Sequence, residues 1–189
     1  MARPQIINDA ALIDRLSHSF RAVGYEGASL ARLAQAAGMK KPSLYHRFPG
    51  GKRQMAEEVL TAARRWYVDH VFSALSGEGT PAKRVAAVAR ALDEFYDGGQ
   101  QACLLNLLSQ PPSEASPFAE PIRAMFMALI EAFAAVARDA GVPRKEASER
   151  AARTVALLHG SLVVARGLNS AAPFKAFTAS LAIELGIEQ

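Results

Sequence analysis

One cysteine among 189 residues excludes a disulfide framework and any cysteine-based zinc site, and it fits a reducing compartment. Long apolar runs are missing as well: none approaches the ~18 residues that span a bilayer. The opening stretch, Met1 to Asp9, reaches an acid before it could build a signal-peptide core. A soluble, cytoplasmic chain with no membrane partner is therefore expected. Alternating runs of β-branched and aromatic residues bounded by hairpin turns are absent, so strands are not expected. Also missing are a phosphate-binding glycine loop, His-Glu-x-x-His, Gly-x-Ser-x-Gly and a paired-glycine dinucleotide fingerprint. The four histidines and scattered acids fall at no metal-ligand spacing. Cys103 lies in Ala-Cys-Leu-Leu, an apolar context that reads as core rather than as a nucleophile paired with a histidine. No enzyme, metal or cofactor is expected.

What is present divides into two parts. Half of the residues are apolar, ample for a packed core. The net charge of +4 is uneven: residues 1–53 carry nine bases and three acids (9 − 3 = +6), leaving 13 − 15 = −2 for residues 54–189. A basic head on a slightly acidic body suits a polyanionic partner, although charge alone is equally met by a solvated basic surface.

Helical spacing runs through the whole chain, which predicts an all-α fold. Asn8 is a good N-cap for a stripe of Leu12, Ile13, Leu16, Phe20 and Val23 that Gly24 closes. Ser29 precedes Leu30, Leu33, Ala34 and Ala37, with Gly38 in the stop position. A third short helix carries Pro42 in its first turn and ends at Phe48, before Pro49. Longer helices are expected at about 52–75, 82–97, 100–110, 118–140, 145–168 and 173–186, separated by Gly- and Pro-bearing breaks.

Residues 29–48, two short helices around a glycine turn, carry the helix-turn-helix signature. The second helix opens with Lys40, Lys41 and Ser43, donors at a helix N-terminus that already favours phosphate. In the usual docking such residues meet base edges in the major groove, where Leu44 could touch a thymine methyl. Tyr45, His46 and Lys52 suit phosphates on the rim. Leu44 and Phe48 equally suit the core of a three-helix head, Phe48 above all.

The stretch from Gly24 to Lys52, G-Y-E-G-A-S-L-A-R-L-A-Q-A-A-G-M-K-K-P-S-L-Y-H-R-F-P-G-G-K, resembles the DNA-binding head of TetR-family transcriptional regulators. The likeness covers about residues 12–60. It implies a helix-turn-helix domain over 1–53 and a helical effector-binding and dimerisation domain over 54–189. It also implies Ser29 near a phosphate, Lys40, Lys41, Ser43 and Leu44 at bases, and Tyr45, His46 and Lys52 on the backbone. The partners implied are double-stranded operator DNA, a small-molecule effector and a second copy of the chain, with repression the commoner outcome. Two departures stand out. Lys40 replaces the usual hydroxyl N-cap, and Ser17 and Ser19 fall where apolar residues are common, so the first helix should pack less tightly.

A symmetric dimer on palindromic half-sites is expected because one head buries too little surface. Its surface is expected on the last two long helices, at Ala147, Ala151, Leu158, Leu162, Phe177 and Leu181, unless those faces are internal core. An effector pocket between the middle helices would draw on Trp66, Phe95, Tyr96, Cys103, Asn106, Gln110, Phe126, Met127, Phe133 and His159, suiting an apolar or aromatic molecule. Most of these residue types also serve as plain core. The competing reading is a helical small-molecule-binding or interaction module without specific DNA binding.

Overall fold

The computed structural model describes residues 8–109 and 116–187. Its helices are α1 (Asp9–Gly27), α2 (Leu30–Ala37), α3 (Lys41–Arg47), α4 (Gly51–Tyr67), α5 (Ser73–Ser76), α6 (Pro81–Phe95), α7 (Leu104–Leu108), α8 (Ala119–Asp139), α9 (Arg144–Gly167) and α10 (Ala172–Glu184). A π-helical turn, Val68–Phe72, precedes α5, and a 3-10 turn, Asp97–Gly99, follows α6. No strand occurs among the described residues. The fold is all-α and falls into two compact units, Met1–Ala63 and Arg64–Gln189.

In the first unit the caps set the helices. Asn8 accepts from the amide of Ala11 at 2.8 Å, and Ser29 accepts from the amide of Arg32 at 3.3 Å. The α1 ladder breaks at Gly24 (φ 72°, ψ 179°) but the helix resumes to Gly27. Gly38 takes the left-handed conformation (φ 65°), and the amide of Met39 returns to the carbonyl of Ala34 at 2.9 Å. That reversal lets α3 cross α2 over a core of Leu12, Leu16, Phe20, Leu33, Ala37, Leu44, Phe48, Met55 and Val59. Lys40 caps α3 without a side-chain hydrogen bond. Ser19 is buried and its hydroxyl has no partner among the described residues, a cost on the order of 1–3 kcal/mol. Ser17 accepts from Nε of Arg21 at 3.4 Å.

In the second unit α8 packs on α9, α9 on α10, and α10 on α6. The helix expected over 100–110 shrinks to Leu104–Leu108. The carbonyl of Tyr96 takes the amides of both Gly99 (2.9 Å) and Gln101 (3.0 Å), which turns the chain before a helix can start. Gly99 sits at φ 95° with its backbone pressed on Phe174, where an added Cβ would fall 2.5 Å from the Phe174 Cβ. Cys103 is then extended (φ −72°, ψ 124°) and begins α7.

The expected interface row needs correction. Ala147, Ala151, Leu158, Leu162, Phe177 and Leu181 are each at most 5% exposed within one chain, so they form internal core. The helices chosen still carry apolar surface, on their other faces. Leu157, Val163 and Val164 on α9, Leu168 just past it, and Ile183 on α10 are exposed.

Candidate nucleic-acid interface

The outer surface of the head is built by α3. Lys40, Lys41, Ser43, Tyr45 and His46 are all exposed, Tyr45 at 45%. Leu44, placed at the bases by sequence, is 1% exposed and packs inward, so its reading as a base contact is corrected to core. The helical period explains this: the one apolar residue in an otherwise polar turn goes to the buried side. Replacing Leu44 by alanine should lower the stability of the head by about 2–5 kcal/mol, read from urea denaturation. Lys41→Ala should change stability by no more than about 0.5 kcal/mol.

The far end of α3 is fastened. Arg47 donates to both carboxylate oxygens of Glu58 (3.2 and 2.9 Å) and, through Nε, to Asp9 at 3.3 Å. Its guanidinium lies 4.5 Å from the Phe48 ring centroid. Glu58 first, and Asp9 after it, hold that guanidinium in its charged form. Glu58 also accepts from Gln54, whose own carbonyl takes the amide of Gly50. Arg47 therefore fixes the tilt of α3 against α1 and α4, a role the sequence did not signal.

Lys52 is engaged inside the head. Its ammonium donates to the carbonyl of Tyr25 at 3.0 Å, lies 4.3 Å over the Tyr25 ring and stands 3.8 Å from Glu26. Ser29 uses its hydroxyl as a cap and remains exposed. By contrast, no carboxylate among the described residues comes within salt-bridge distance of Arg15, Arg32, Lys40 or Lys41. Arg32 and Gln35, which sequence reasoning passed over, join Arg15, His18 and Ser29 along an open groove between α1 and α2. Their signal was in the chain: Arg32 follows Ser29 by three residues, on the same helix face. The arrangement offers uncompensated cations and hydroxyl and amide donors, which is what a phosphate backbone and base edges require.

The second unit gathers part of the expected effector set. Trp66 stacks on Phe95 at 4.0 Å, and Phe95 meets Tyr96 edge-on at 5.0 Å. The Tyr96 hydroxyl lies 2.7 Å from that of Tyr67 and donates to the Cys103 sulfur at 3.5 Å. Phe126 meets His159 edge-on at 4.9 Å. Both His159 ring nitrogens are shielded from solvent. Asn106 is half-buried and Phe133 fully buried. Met127 is 58% exposed, so its assignment to a pocket is corrected: it lies on the outer face of α8. Gln110 lies outside the described residues. Tyr67, missed in sequence, is central to the group.

Burial pushes the Tyr96 phenol well up, with Cys103 and Tyr67 adding to it, so it stays protonated. Burial also pushes the Cys103 thiol up, but His159, the Tyr96 hydroxyl and the Asn106 backbone outweigh it and bring the thiol down to about 7. Among the described residues no group of histidine, cysteine and acidic side chains could hold a metal, and no helix is long and apolar enough to cross a membrane.

Residues 12–59 match the family described as bacterial regulatory proteins, tetR family. The HTH-type transcriptional regulator LmrA of Bacillus subtilis (strain 168) is 23% identical over 170 residues, covering 86% of this chain and 88% of its own. A TetR transcriptional regulator from Legionella pneumophila superposes with a TM-score of 0.80 at 18% identity, covering 97% of this chain and all of that one. A cysteine-substituted TetR-family regulator, CifR, solved with 26-bp double-strand operator DNA, superposes with a TM-score of 0.75 at 26% identity, over 97% of this chain and 98% of its own.

Proposed function

We propose that the chain is a ligand-responsive repressor of the TetR family of transcriptional regulators, a reading supported by the family match over residues 12–59 and by the shared fold. It binds a palindromic operator as a homodimer and is released by a small apolar or aromatic effector. The observation that carries this reading is the row of exposed donors on α3, with Lys40 and Lys41 free of carboxylate partners among the described residues. Lys40, Lys41 and Ser43 meet bases, while Tyr45, His46, Ser29 and Arg32 meet phosphates. Lys52 stays near the backbone with less charge to offer. Residues 1–53 supply DNA binding and 54–189 effector binding and dimerisation. A chain acting on operator DNA works in the cytoplasm.

Two heads are needed because single modules bury too little surface for tight specific binding. The exposed face of α9, with Leu157, Gly160 and Val164, and that of α10, with Ala172, Ala176, Ala179 and Ile183, are apolar or small. A Cβ added at Gly160 or Gly167 would meet nothing within 4 Å inside the chain, so internal packing does not require glycine there. Each glycine costs a helix about 1 kcal/mol relative to alanine, and close approach of a second helix gives that cost a purpose. An effector that binds better to a wider spacing of the two heads weakens operator binding, by no more than its differential affinity.

Selection of random duplex DNA on the purified protein tests the proposal. An inverted repeat should be enriched, with affinity falling by roughly 0.9 log units per phosphate contact per log unit of salt. Failure to enrich any sequence contradicts operator binding and favours a helical sensor without specific DNA recognition.

A further inference from the structure

Ser19 holds a position on α1 where an apolar residue would serve the core, and the fold gives its hydroxyl nothing to bind. The residue is 7% exposed, and its Oγ is shielded from solvent with no partner among the described residues. A serine inside a helix commonly donates to the carbonyl four residues back, here that of Arg15, and this one does not. Buried polar groups are normally hydrogen-bonded, so an orphan of this kind marks a place where a ligand atom is received. Ser19 belongs to the groove between α1 and α2, about 890 Å³ in volume, and is the one buried residue of its lining, so it forms the floor. Arg15, four residues earlier, shares its face of α1, and Ser29, Arg32 and Gln35 follow one another at every third residue along α2. No carboxylate lines the groove, and none among the described residues comes within salt-bridge distance of Arg15 or Arg32. His18, on the rim, faces Asp14 at 3.7 Å. Two guanidiniums in one groove without a counter-charge repel each other, and an entering anion relieves that repulsion.

We propose that the groove between α1 and α2 binds the phosphate group of a small phosphorylated molecule, with Ser19 as the donor at its floor. The guanidinium forks of Arg15 and Arg32 match phosphate oxygens in pairs. A turn of Ser19 about χ1 presents its hydroxyl from below. A tetrahedral anion with three accepting oxygens takes donors from several directions, which a planar carboxylate does not need. The groove is in the size range that takes a small molecule, so room remains beside the phosphate for the rest of the ligand. A rigid duplex reaches protruding arginines but not a serine at the floor, which favours a small anion over the operator backbone. Ser29 and Arg32 also belong to the proposed backbone contacts, so an occupied groove competes with operator. That last consequence rests on the proposed regulator function; the phosphate site does not.

Inorganic pyrophosphate is the probe, added to the full chain at constant ionic strength with sodium chloride as the balance. At millimolar concentration it should raise the melting temperature, because a ligand held by the folded state alone stabilises that state. Ser19→Ala and Arg15→Ala should each weaken the apparent affinity about tenfold or more, through loss of a hydrogen bond to a charged group. Without pyrophosphate, Ser19→Ala should melt no lower than the unsubstituted protein, since the hydroxyl it removes holds nothing in the fold. Stabilisation no greater than chloride gives, stabilisation equal in the variants, or a Ser19→Ala protein that melts several degrees lower on its own overturns the proposal. Loss of operator affinity in both variants without any pyrophosphate binding overturns it too, and gives the groove to the DNA backbone. Competition separates the two readings. Pyrophosphate should weaken operator binding by the unsubstituted protein and spare that of Ser19→Ala; equal weakening overturns the competition. If the unsubstituted protein selects no duplex at all, the regulator function fails, and the melting series still decides the groove.

Discussion

Replacing Lys40 and Tyr45 together by alanine lowers operator affinity at least about a hundredfold and leaves the fold and the dimer unchanged. Each side chain appears twice in a symmetric complex, and one base or phosphate contact is worth about 1–3 kcal/mol, so even the low end of four contacts exceeds that loss. The structure makes the control clean. Lys40 precedes α3 without a capping hydrogen bond, and Tyr45 is 45% exposed, so neither side chain holds the head together. Melting temperature and sedimentation coefficient should match those of the unsubstituted protein, while titration of the selected duplex shows the loss. An affinity within about threefold of the original would mean that α3 is not the element that reads DNA.

Leu157→Arg converts the dimer to monomers and removes tight operator binding with it. A two-fold axis places the substituted residue in the interface twice, and an unpaired buried charge costs several kcal/mol, so the dimer dissociation constant should rise at least about a thousandfold. Leu157 is 40% exposed in one chain, so the same change leaves the internal core alone. Its neighbour makes the contrast. Leu158 is fully buried, and Leu158→Ala should instead lower chain stability by about 2–5 kcal/mol. Sedimentation velocity together with urea denaturation distinguishes the two. If Leu157→Arg stays dimeric, the outward face of α9 is not the interface.

That pair of neighbours also shows where sequence reading stops. The row Ala147, Ala151, Leu158 and Leu162 has clear helical spacing, but so do Leu157, Gly160 and Val164. A helix apolar on two faces gives no periodicity signal for which face turns inward, and the chain needs both, one for its own core and one free. Leu44 is the same ambiguity in small: one apolar residue among polar ones could be a methyl contact or a core anchor, and only burial decided. In the head the start and stop signals were local and therefore legible. Asn8 and Ser29 cap with their own side chains, and Gly38 takes the positive φ that the turn requires. The segment after α6 was not legible in the same way. Its turn depends on Gly99 fitting against Phe174, seventy-five residues away in sequence, and the helix expected over 100–110 lost its first turn to that contact. Tyr67 and the Arg47–Glu58–Asp9 bridge escaped notice because their roles lie in partners brought together by folding.

Hydroxyl-radical footprinting on the selected duplex tests the central claim most directly. A symmetric pair of helix-turn-helix heads predicts two protected patches on one face of the DNA, about one helical turn (roughly 34–36 Å) or a multiple of it apart, related by the dyad of the inverted repeat. Both patches should disappear together in the Leu157→Arg protein. A single patch, or uniform protection along the duplex, would contradict the account.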